Sequence, residues 1–141
     1  MNHIKNKADL ETTISEIRTY AYNYLEKYST SKQQLRIYLF KRYLKKNQKK
    51  TNKKELFDLI DAVIQSLEDQ QLISDKYYSN AKAKSYLKRG YSLNKIRYSL
   101  VKKGINEKYI KASISKIVEN ESDPDFFFCN KIMQKKKNWT K

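Results

Sequence analysis

Glycine and proline are almost absent from this chain, which has two Gly and one Pro among 141 residues. A many-stranded sandwich or barrel needs such residues in the turns between its strands, and a phosphate-binding loop is rich in Gly, so the composition excludes both. The length supports one domain or two very small ones. We therefore expect helices that are joined by a few short turns.

Apolar residues recur at helical spacing through most of the chain. The clearest case is residues 55–70, where one arc of a helical wheel is aliphatic and the other is acidic. Together with start and stop signals, this periodicity predicts an all-α fold. The predicted helices cover residues 12–28, 32–46, 55–70, 75–89, 93–103 and 107–119, and a seventh helix of about 12 residues begins near Pro124.

Four residues mark predicted helix ends. Ser31 and Ser92 are suited to N-caps, because a hydroxyl can accept a hydrogen bond from a free amide of the first turn. Gly90 and Gly104 follow the fourth and fifth helices, at the position where a left-handed residue is needed. These signals set the boundaries of the second, fourth and fifth helices.

The predicted helices form an internal repeat. A shift of 61 residues aligns the second helix with the fifth: Ser31 with Ser92, Leu35 with Ile96, Arg36 with Arg97, Leu39 with Leu100, Lys41 with Lys102 and Arg42 with Lys103. Further along, a shift of 50 aligns the third helix with the sixth: Ile60 with Ile110, Ala62 with Ala112, Ile64 with Ile114 and Leu67 with Ile117. We attribute the difference between the shifts to a lysine-rich loop, residues 45–54, in the first copy.

The repeat predicts tandem three-helix modules in an elongated, curved array. Two modules are complete, over residues 12–72 and 73–120. An N-terminal tail, residues 1–11, precedes them. The start of a third module, with a basic C-terminal tail, occupies residues 121–141.

The charged residues are arranged in blocks within a formal net charge of +16. Residues 27–54 contain 11 bases and no acid, residues 55–75 contain six acids and no base, and residues 76–106 contain nine bases and no acid. Such a pattern favours a polyanionic or acidic partner, with an attraction that weakens as salt is added.

Residues that carry catalytic or metal chemistry are scarce. The one His, His3, and the one Cys, Cys129, cannot assemble a zinc site, a Cys–His dyad or a disulfide framework. Asp58, Asp61 and Glu68 share one face of the third helix, but no apolar concavity surrounds them, so we interpret this face as solvated. The sequence therefore predicts no catalytic residue, no metal site and no cofactor.

The sequence also indicates where the protein resides. No apolar run exceeds four residues, whereas a membrane span needs about 20, and the N-terminal residues lack the apolar segment of a signal peptide. One unpaired Cys is typical of the cytosol. We expect a cytoplasmic monomer that is not exported. Phe126–Phe128 and Met133 need cover, and we favour the second module of the same chain over another copy of the chain.

Two stretches resemble the RecX family, which regulates the recombinase RecA and consists of tandem three-helix repeats. The first is AYNYLEKYSTSKQQLRIYL, residues 21–39. The second, residues 73–110, follows the family's acidic opening, its Arg-Gly before helix two, its Ile-x-x-x-Leu ridge and its Lys-Gly-Ile ending. The chain departs from the family at Ser74, which replaces an Asp, at Tyr78 and Ser79, which replace Phe-Ala, and in lacking most of the third module.

This resemblance, which spans roughly residues 12–119, implies a non-enzymatic protein that binds RecA or its filament on single-stranded DNA and restrains recombinase activity in DNA repair. The alternative is a helical protein that binds nucleic acid without specificity, because Lys binds phosphate without reading sequence. A sequence-specific helix-turn-helix reader is disfavoured, since in the fifth helix only Asn94 is suited to a base edge.

Candidate partner-binding residues are basic or aromatic, and Lys41, Lys95 and Lys102 lie on the outer faces of their predicted helices. The full set is Lys41, Lys45, Lys88, Arg89, Lys95, Tyr98, Lys102 and Lys103. Arg36 and Arg97 border the buried arc instead, so we expect each stem to pack on the core and each guanidinium to pair with a carboxylate. Among the tyrosines, Tyr24, Tyr28, Tyr43, Tyr78 and Tyr109 are predicted core residues, whereas Tyr38 and Tyr98 are predicted to lie outward or at the boundary.

Overall fold

In the computed structural model, the described residues are 7–46 and 52–120, and every regular element among them is an α-helix. The helices are α1 (Lys7–Lys27), α2 (Lys32–Lys46), α3 (Lys53–Asp69), α4 (Asp75–Lys88), α5 (Leu93–Lys102) and α6 (Glu107–Asn120). The all-α class predicted from the periodicity is confirmed. The predicted seventh helix lies outside the described residues, together with Phe126–Phe128, Met133, His3 and Cys129.

The first helix begins earlier than predicted. α1 starts at Lys7, so residues 7–11, which we assigned to the tail, are helical. Apolar periodicity is a poor guide here, because Leu10 is exposed. The early start is favoured by Asp9, whose carboxylate lies at the positive end of the helix dipole. Thr13 also donates a hydrogen bond of 2.9 Å from its hydroxyl to the carbonyl of Asp9.

Four residues of the predicted lysine-rich loop, residues 45–54, are helical. Residues 45–46 end α2, where positive charge is favoured by the helix dipole, and residues 53–54 begin α3. α3 starts this early because Asn52 is its N-cap: the side-chain oxygen accepts two first-turn amides at 3.0 and 3.2 Å. Residues 47–51 lie outside the described part of the chain.

Contacts between helices divide the chain into two units, Met1–Ser74 and Asp75–Lys141. The first unit contains α1, α2 and α3, and each of the three helices contributes fully buried aliphatic side chains to its core. These are Ile17 of α1, Leu35 and Leu39 of α2, and Leu56, Ile60, Val63 and Leu67 of α3. Burial of such side chains, worth about 1.5–3 kcal/mol each, is the main force that holds the three helices together.

The second unit contains α4, α5 and α6 around a core of its own. The buried apolar residues are Tyr78, Ala83, Tyr86, Leu87, Ile96, Leu100, Ile105, Ile110 and Ile117. Two buried serines join α4 to α6, because the hydroxyls of Ser79 and Ser113 lie 2.7 Å apart and Ser113 also donates to Asn80 Oδ1 at 2.6 Å. These bonds satisfy the polar groups that close helix packing buries.

Glycine ends α4 and α5. Gly90 and Gly104 have φ values of 84° and 78°, in the left-handed region that a residue without Cβ adopts freely. The amide that follows Gly90 donates to the carbonyl of Tyr86 at 3.0 Å, and the amide that follows Gly104 donates to that of Leu100 at 3.2 Å. Both ends are therefore Schellman motifs, which satisfy free carbonyls of the last turn.

The end of α3 uses the same motif without glycine. Gln71 has a φ of 60°, and the next amide, of Leu72, donates to the carbonyl of Leu67 at 2.9 Å. A side chain with a Cβ is strained in this conformation by about 1–2 kcal/mol. The hydrogen bonds of the motif and the packing of the first unit hold the residue there despite this strain.

Serine begins α2 and α5. The hydroxyl of Ser31 accepts the amide of Gln34 at 3.2 Å, and the side chain of Gln34 in turn accepts the amide of Ser31 at 3.4 Å, which is a capping box. The hydroxyl of Ser92 accepts the amide of Lys95 at 3.2 Å. Ser31 is fully buried whereas Ser92 is exposed.

Candidate partner-binding surface

The candidate partner-binding residues fall in both units, and all except one are exposed. Lys41 and Lys45 lie on α2 of the first unit. In the second unit, Lys88 and Arg89 lie at the end of α4, and the α5 residues Lys95, Tyr98 and Lys102 are exposed in the same way. Lys103 differs from the others, because it is half-buried at the C-cap of α5.

Lys95, Tyr98 and Lys102 lie along one side of α5 and are called here the α5 basic face. Each lysine ammonium lies over a tyrosine ring. Lys95 Nζ is 4.0 Å from the centroid of Tyr91, and Lys102 Nζ is 4.8 Å from that of Tyr98. Such cation–π contacts are worth about 0.5–1 kcal/mol at exposed sites. They hold the two charges in defined places on an exposed surface.

Tyr91 anchors the end of this surface nearest α4. Its ring stacks on that of Tyr86, with centroids 5.0 Å apart and planes at 6°. Tyr86 is buried, so the ring of Tyr91 is fixed between the core and the ammonium of Lys95. We did not predict a role for Tyr91.

The spacing of Tyr and Lys contained a signal for these contacts. A Lys follows a Tyr by four residues at 28 and 32, at 78 and 82, at 91 and 95, and at 98 and 102. In the last three pairs the ammonium lies over the ring, whereas Lys32 pairs with Glu68. Residues four apart are neighbours on a helix surface, so the spacing brings the two side chains together. The pairs at 78 and 98 lie within helices, and the pair at 91 begins just before α5.

Apolar atoms are exposed beside these charges. Tyr98 is 60% exposed and Val101, three residues further along the same helix, is 52% exposed. The lysines lie in residues 76–106, which contain no acid. The α5 basic face thus combines positive charge with an exposed aromatic ring.

Arg36 and Arg97 pair with carboxylates on the third helix of their own units. Arg36 makes a two-pronged contact with Asp61, with Nε–Oδ1 and Nη2–Oδ2 distances of 2.7 and 3.3 Å, and its guanidinium lies 4.3 Å from the ring centroid of Phe57. Arg97 pairs through Nη1 with Oε1 of Glu107. Their side chains are 43% and 42% exposed, so the stems are less buried than we expected.

The carboxylates of α3 are partly neutralised rather than simply solvated. Asp61 pairs with Arg36, and Glu68 Oε2 lies 2.9 Å from Lys32 Nζ. Asp58 is exposed, as the prediction of a solvated face requires. Because α3 faces α2 through these pairs, Lys32 and Arg36 contribute less positive charge to a partner than their positions in the sequence imply.

Lys46 belongs to a cluster inside the first unit. Tyr20 donates its hydroxyl to Glu16 Oε1 at 2.8 Å, and Lys46 Nζ lies 3.2 Å from the same oxygen. Burial and the hydrogen bond to Glu16 raise the pKa of Tyr20 above 10.0. Hydrogen bonds to Tyr20 and Glu16 raise the pKa of Lys46 above 10.5. The guanidinium of Arg42 also lies 5.1 Å from the ring centroid of Tyr20.

One of the tyrosine predictions is wrong. Tyr28 is 57% exposed, because α1 ends one residue before it and the helical wheel no longer applies. Tyr38 is half-buried, which agrees with a boundary position, and its ring centroid lies 4.2 Å from that of Tyr24. Tyr78 is buried as predicted, and Tyr24, Tyr43 and Tyr109 pack half-buried against the cores.

The described residues offer little that encloses a small molecule or an ion. A shallow depression on α1 is lined by Glu11, Thr12, Ser15, Glu16 and Thr19. Within residues 7–46 and 52–120, no three His, Cys, Asp or Glu side chains lie close enough together to hold a metal ion. None of the six helices combines the length and the apolar character that crossing a membrane requires.

Comparison with known proteins supplies no relative: no family model, no curated protein and no solved structure matches this chain.

Proposed function

We propose that this protein is a non-enzymatic regulator of a RecA-type recombinase, which binds RecA or its filament on single-stranded DNA and inhibits recombinase activity. It acts as a cytoplasmic monomer in DNA repair. The observation that carries the proposal is the resemblance of residues 73–110 to the RecX family. These residues form α4, α5 and the start of α6 and include the α5 basic face.

The proposal includes the tandem arrangement of three-helix modules. Support comes from burial under the shift of 61 residues. Leu35 and Leu39 of α2 are fully buried, and so are their counterparts Ile96 and Leu100 of α5. The three residues between each pair also match, because they are half-buried, exposed and half-buried in both helices. The second helix of each unit therefore presents the same faces to core and solvent.

The repeated arginine gives a second, independent support. Arg36 lies over Phe57, and Arg97 pairs with Glu107. Phe57 and Glu107 correspond under the shift of 50 residues that aligns α3 with α6. The second helix of each unit therefore contacts the same place on the third helix, although the residue type there differs.

The exposed charge suits the partner that we propose. A filament on single-stranded DNA presents phosphates, and the α5 basic face presents two lysines in a stretch without acids. Charge complementarity of this kind raises association rates and weakens with salt. A protein that inhibits by binding needs no catalytic group of its own.

A titration of recombinase activity tests the proposal. The protein is added to a RecA recombinase on single-stranded DNA, and the ATP hydrolysis rate is measured together with co-sedimentation of the protein with filaments. We expect the rate to fall at sub-stoichiometric to stoichiometric amounts and the protein to sediment with the filament. An unchanged rate with no co-sedimentation, at low salt and in excess of protein, would contradict the proposal.

A second candidate function is non-specific binding of nucleic acid, which the net charge of +16 favours. Binding to DNA alone separates the two candidates. A recombinase regulator binds the filament much more tightly than it binds the same naked DNA. A non-specific nucleic-acid binder binds both equally well, or binds naked DNA better.

A further inference from the structure

We propose that the α5 basic face is a stacking site for a base of single-stranded nucleic acid, in which Tyr98 stacks on the base and Lys95 and Lys102 lie near the adjacent phosphates. The inference goes beyond the proposed regulation of a recombinase and deepens the second candidate function, because it assigns the contact with nucleic acid to a defined place on α5. It also names the residue that makes this contact through its ring rather than through its charge.

Exposure is the first argument. Tyr98 is 60% exposed, more than any other large apolar residue of α5: Val101 is 52% and Leu93 37% exposed, and Ile96 and Leu100 are fully buried. The ring contacts the ammonium of Lys102, yet most of its surface stays open to solvent. The corresponding residue of the first unit is Ile37, which is 44% exposed. Both units therefore expose an apolar residue at this position, but only the second unit offers an aromatic ring.

Charge identifies the partner. Lys95 lies three residues before Tyr98 and Lys102 lies four residues after it, so the Cα atoms of the two lysines are about 10 Å apart along the helix axis. That distance corresponds to about three nucleotides at the 3.4 Å spacing of a stacked strand. Because residues 76–106 contain no acid, nothing within this stretch of the chain offsets the attraction of the lysines for phosphates.

Single-stranded nucleic acid fits this chemistry better than a duplex or a protein. Stacking on an aromatic side chain needs a base whose face is open, and a duplex hides those faces. Direct reading of a duplex favours Arg, Asn and Gln at base edges. α5 contains one Asn, Asn94, and no Gln, and its Arg97 is paired with Glu107. A protein partner is usually held by a broader apolar centre than Tyr98 and Val101 provide between two lysines.

Binding of an oligonucleotide tests the inference. The full chain is titrated into fluorescein-labelled oligothymidine of about 20 nucleotides, which is longer than the site of about 4–16 nucleotides typical of such surfaces, at one fixed low salt concentration. Fluorescence anisotropy gives the dissociation constant. We expect Tyr98→Ala to raise this constant about fivefold or more, which corresponds to the loss of one base–aromatic stack. Tyr98→Phe, which keeps the ring, is expected to bind like the natural protein.

Two further variants separate the ring from the charge. Lys102→Ala should reduce the salt dependence of binding by about 0.7 in the log–log slope, whereas Tyr98→Ala should leave that slope unchanged. Tyr22→Ala, which removes a partly exposed tyrosine of α1, is the matched control and should bind like the natural protein. Circular dichroism checks that each variant keeps its helices.

Three results would overturn the inference. They are no binding of the oligothymidine by the natural protein, unchanged affinity of Tyr98→Ala, and a loss in Tyr98→Phe as large as that in Tyr98→Ala. If Tyr98→Ala binds the oligothymidine normally but no longer inhibits recombinase, the surface binds protein rather than nucleic acid. Since recombinase is absent from the binding assay, failure of this inference is distinguishable from failure of the proposed function.

Discussion

Replacing Arg36 with Ala removes two contacts, whereas replacing Arg97 with Ala removes one. Arg36 pairs with Asp61 and also lies over the ring of Phe57. Arg97 pairs with Glu107, and no ring contact is found for it within residues 7–46 and 52–120. The two arginines occupy equivalent positions of the two units but differ in the ring contact and in the ion pair, which is two-pronged only for Arg36. Their comparison therefore gives the combined effect of these two differences.

The structure sets the size of both effects. All four paired side chains are between 42% and 50% exposed, so each ion pair is worth about 0.2–1 kcal/mol of unfolding free energy. The ring contact of Arg36 adds about 0.5–1 kcal/mol. We therefore expect Arg36→Ala to cost about 1–2 kcal/mol and Arg97→Ala to cost less than about 1 kcal/mol.

Urea unfolding of the full chain, followed by circular dichroism, measures these costs. A double-mutant cycle of Arg36→Ala with Asp61→Ala should return a coupling energy of about 0.2–1 kcal/mol. At about 1 M salt the ion pairs are screened, so Arg97→Ala should become nearly neutral while Arg36→Ala keeps the cost of its ring contact. A cost above about 2 kcal/mol for Arg97→Ala would refute the reasoning, because it requires a desolvated charge pair.

Three further predictions concern stability. Gln71→Gly relieves the left-handed strain at the end of α3 and should raise the free energy of unfolding by about 0.5–1 kcal/mol, as a higher urea midpoint. Ser113→Ala should lower it by about 0.5–1.5 kcal/mol, because it removes the hydrogen bonds to Ser79 and Asn80 while the buried hydroxyl of Ser79 keeps its 3.4 Å bond to the carbonyl of Tyr109. The folded-state pKa values of Tyr20 and Lys46 are raised, so both groups hold their protons more tightly when folded, and stability should decline as pH rises above about 10 in thermal melts. Melting temperatures that stay constant from pH 9 to pH 11, a range about one unit either side of the ordinary pKa values, would contradict this reasoning.

Helix ends were predictable where local chemistry decides them. Gly90 and Gly104 end helices because of their own backbone freedom, and Ser92 caps a helix with its own hydroxyl. The start of α1 was predicted too late, because Leu10, the large apolar residue near its beginning, is exposed and does not continue the apolar periodicity of the helix. The start of α3 was predicted two residues late, because Lys53 and Lys54 were assigned to the lysine-rich loop. Asn52, which caps the helix, precedes both lysines.

Contacts between helices were less accessible from sequence. The position of Arg36 at the border of the buried arc indicated an ion pair, but the choice of Asp61 as its partner depends on how α2 packs against α3. The cluster of Tyr20, Glu16 and Lys46 depends in the same way on the approach of α1 to α2. By contrast, the pairing of Tyr98 with Lys102, which we did not predict, lies within one helix, so its four-residue spacing was a signal for it in the sequence.

The central claim, that the second unit inhibits a recombinase through the α5 basic face, is tested most directly by two matched double variants. Lys95→Glu with Lys102→Glu reverses two charges on α5, and Lys111→Glu with Lys116→Glu reverses two exposed charges on α6 of the same unit. The measurement is inhibition of recombinase ATP hydrolysis on single-stranded DNA. We predict that the α5 variant stays helical and no longer inhibits, while the α6 variant inhibits like the natural protein. Full inhibition by the α5 variant, or equal loss in both variants, would contradict the account.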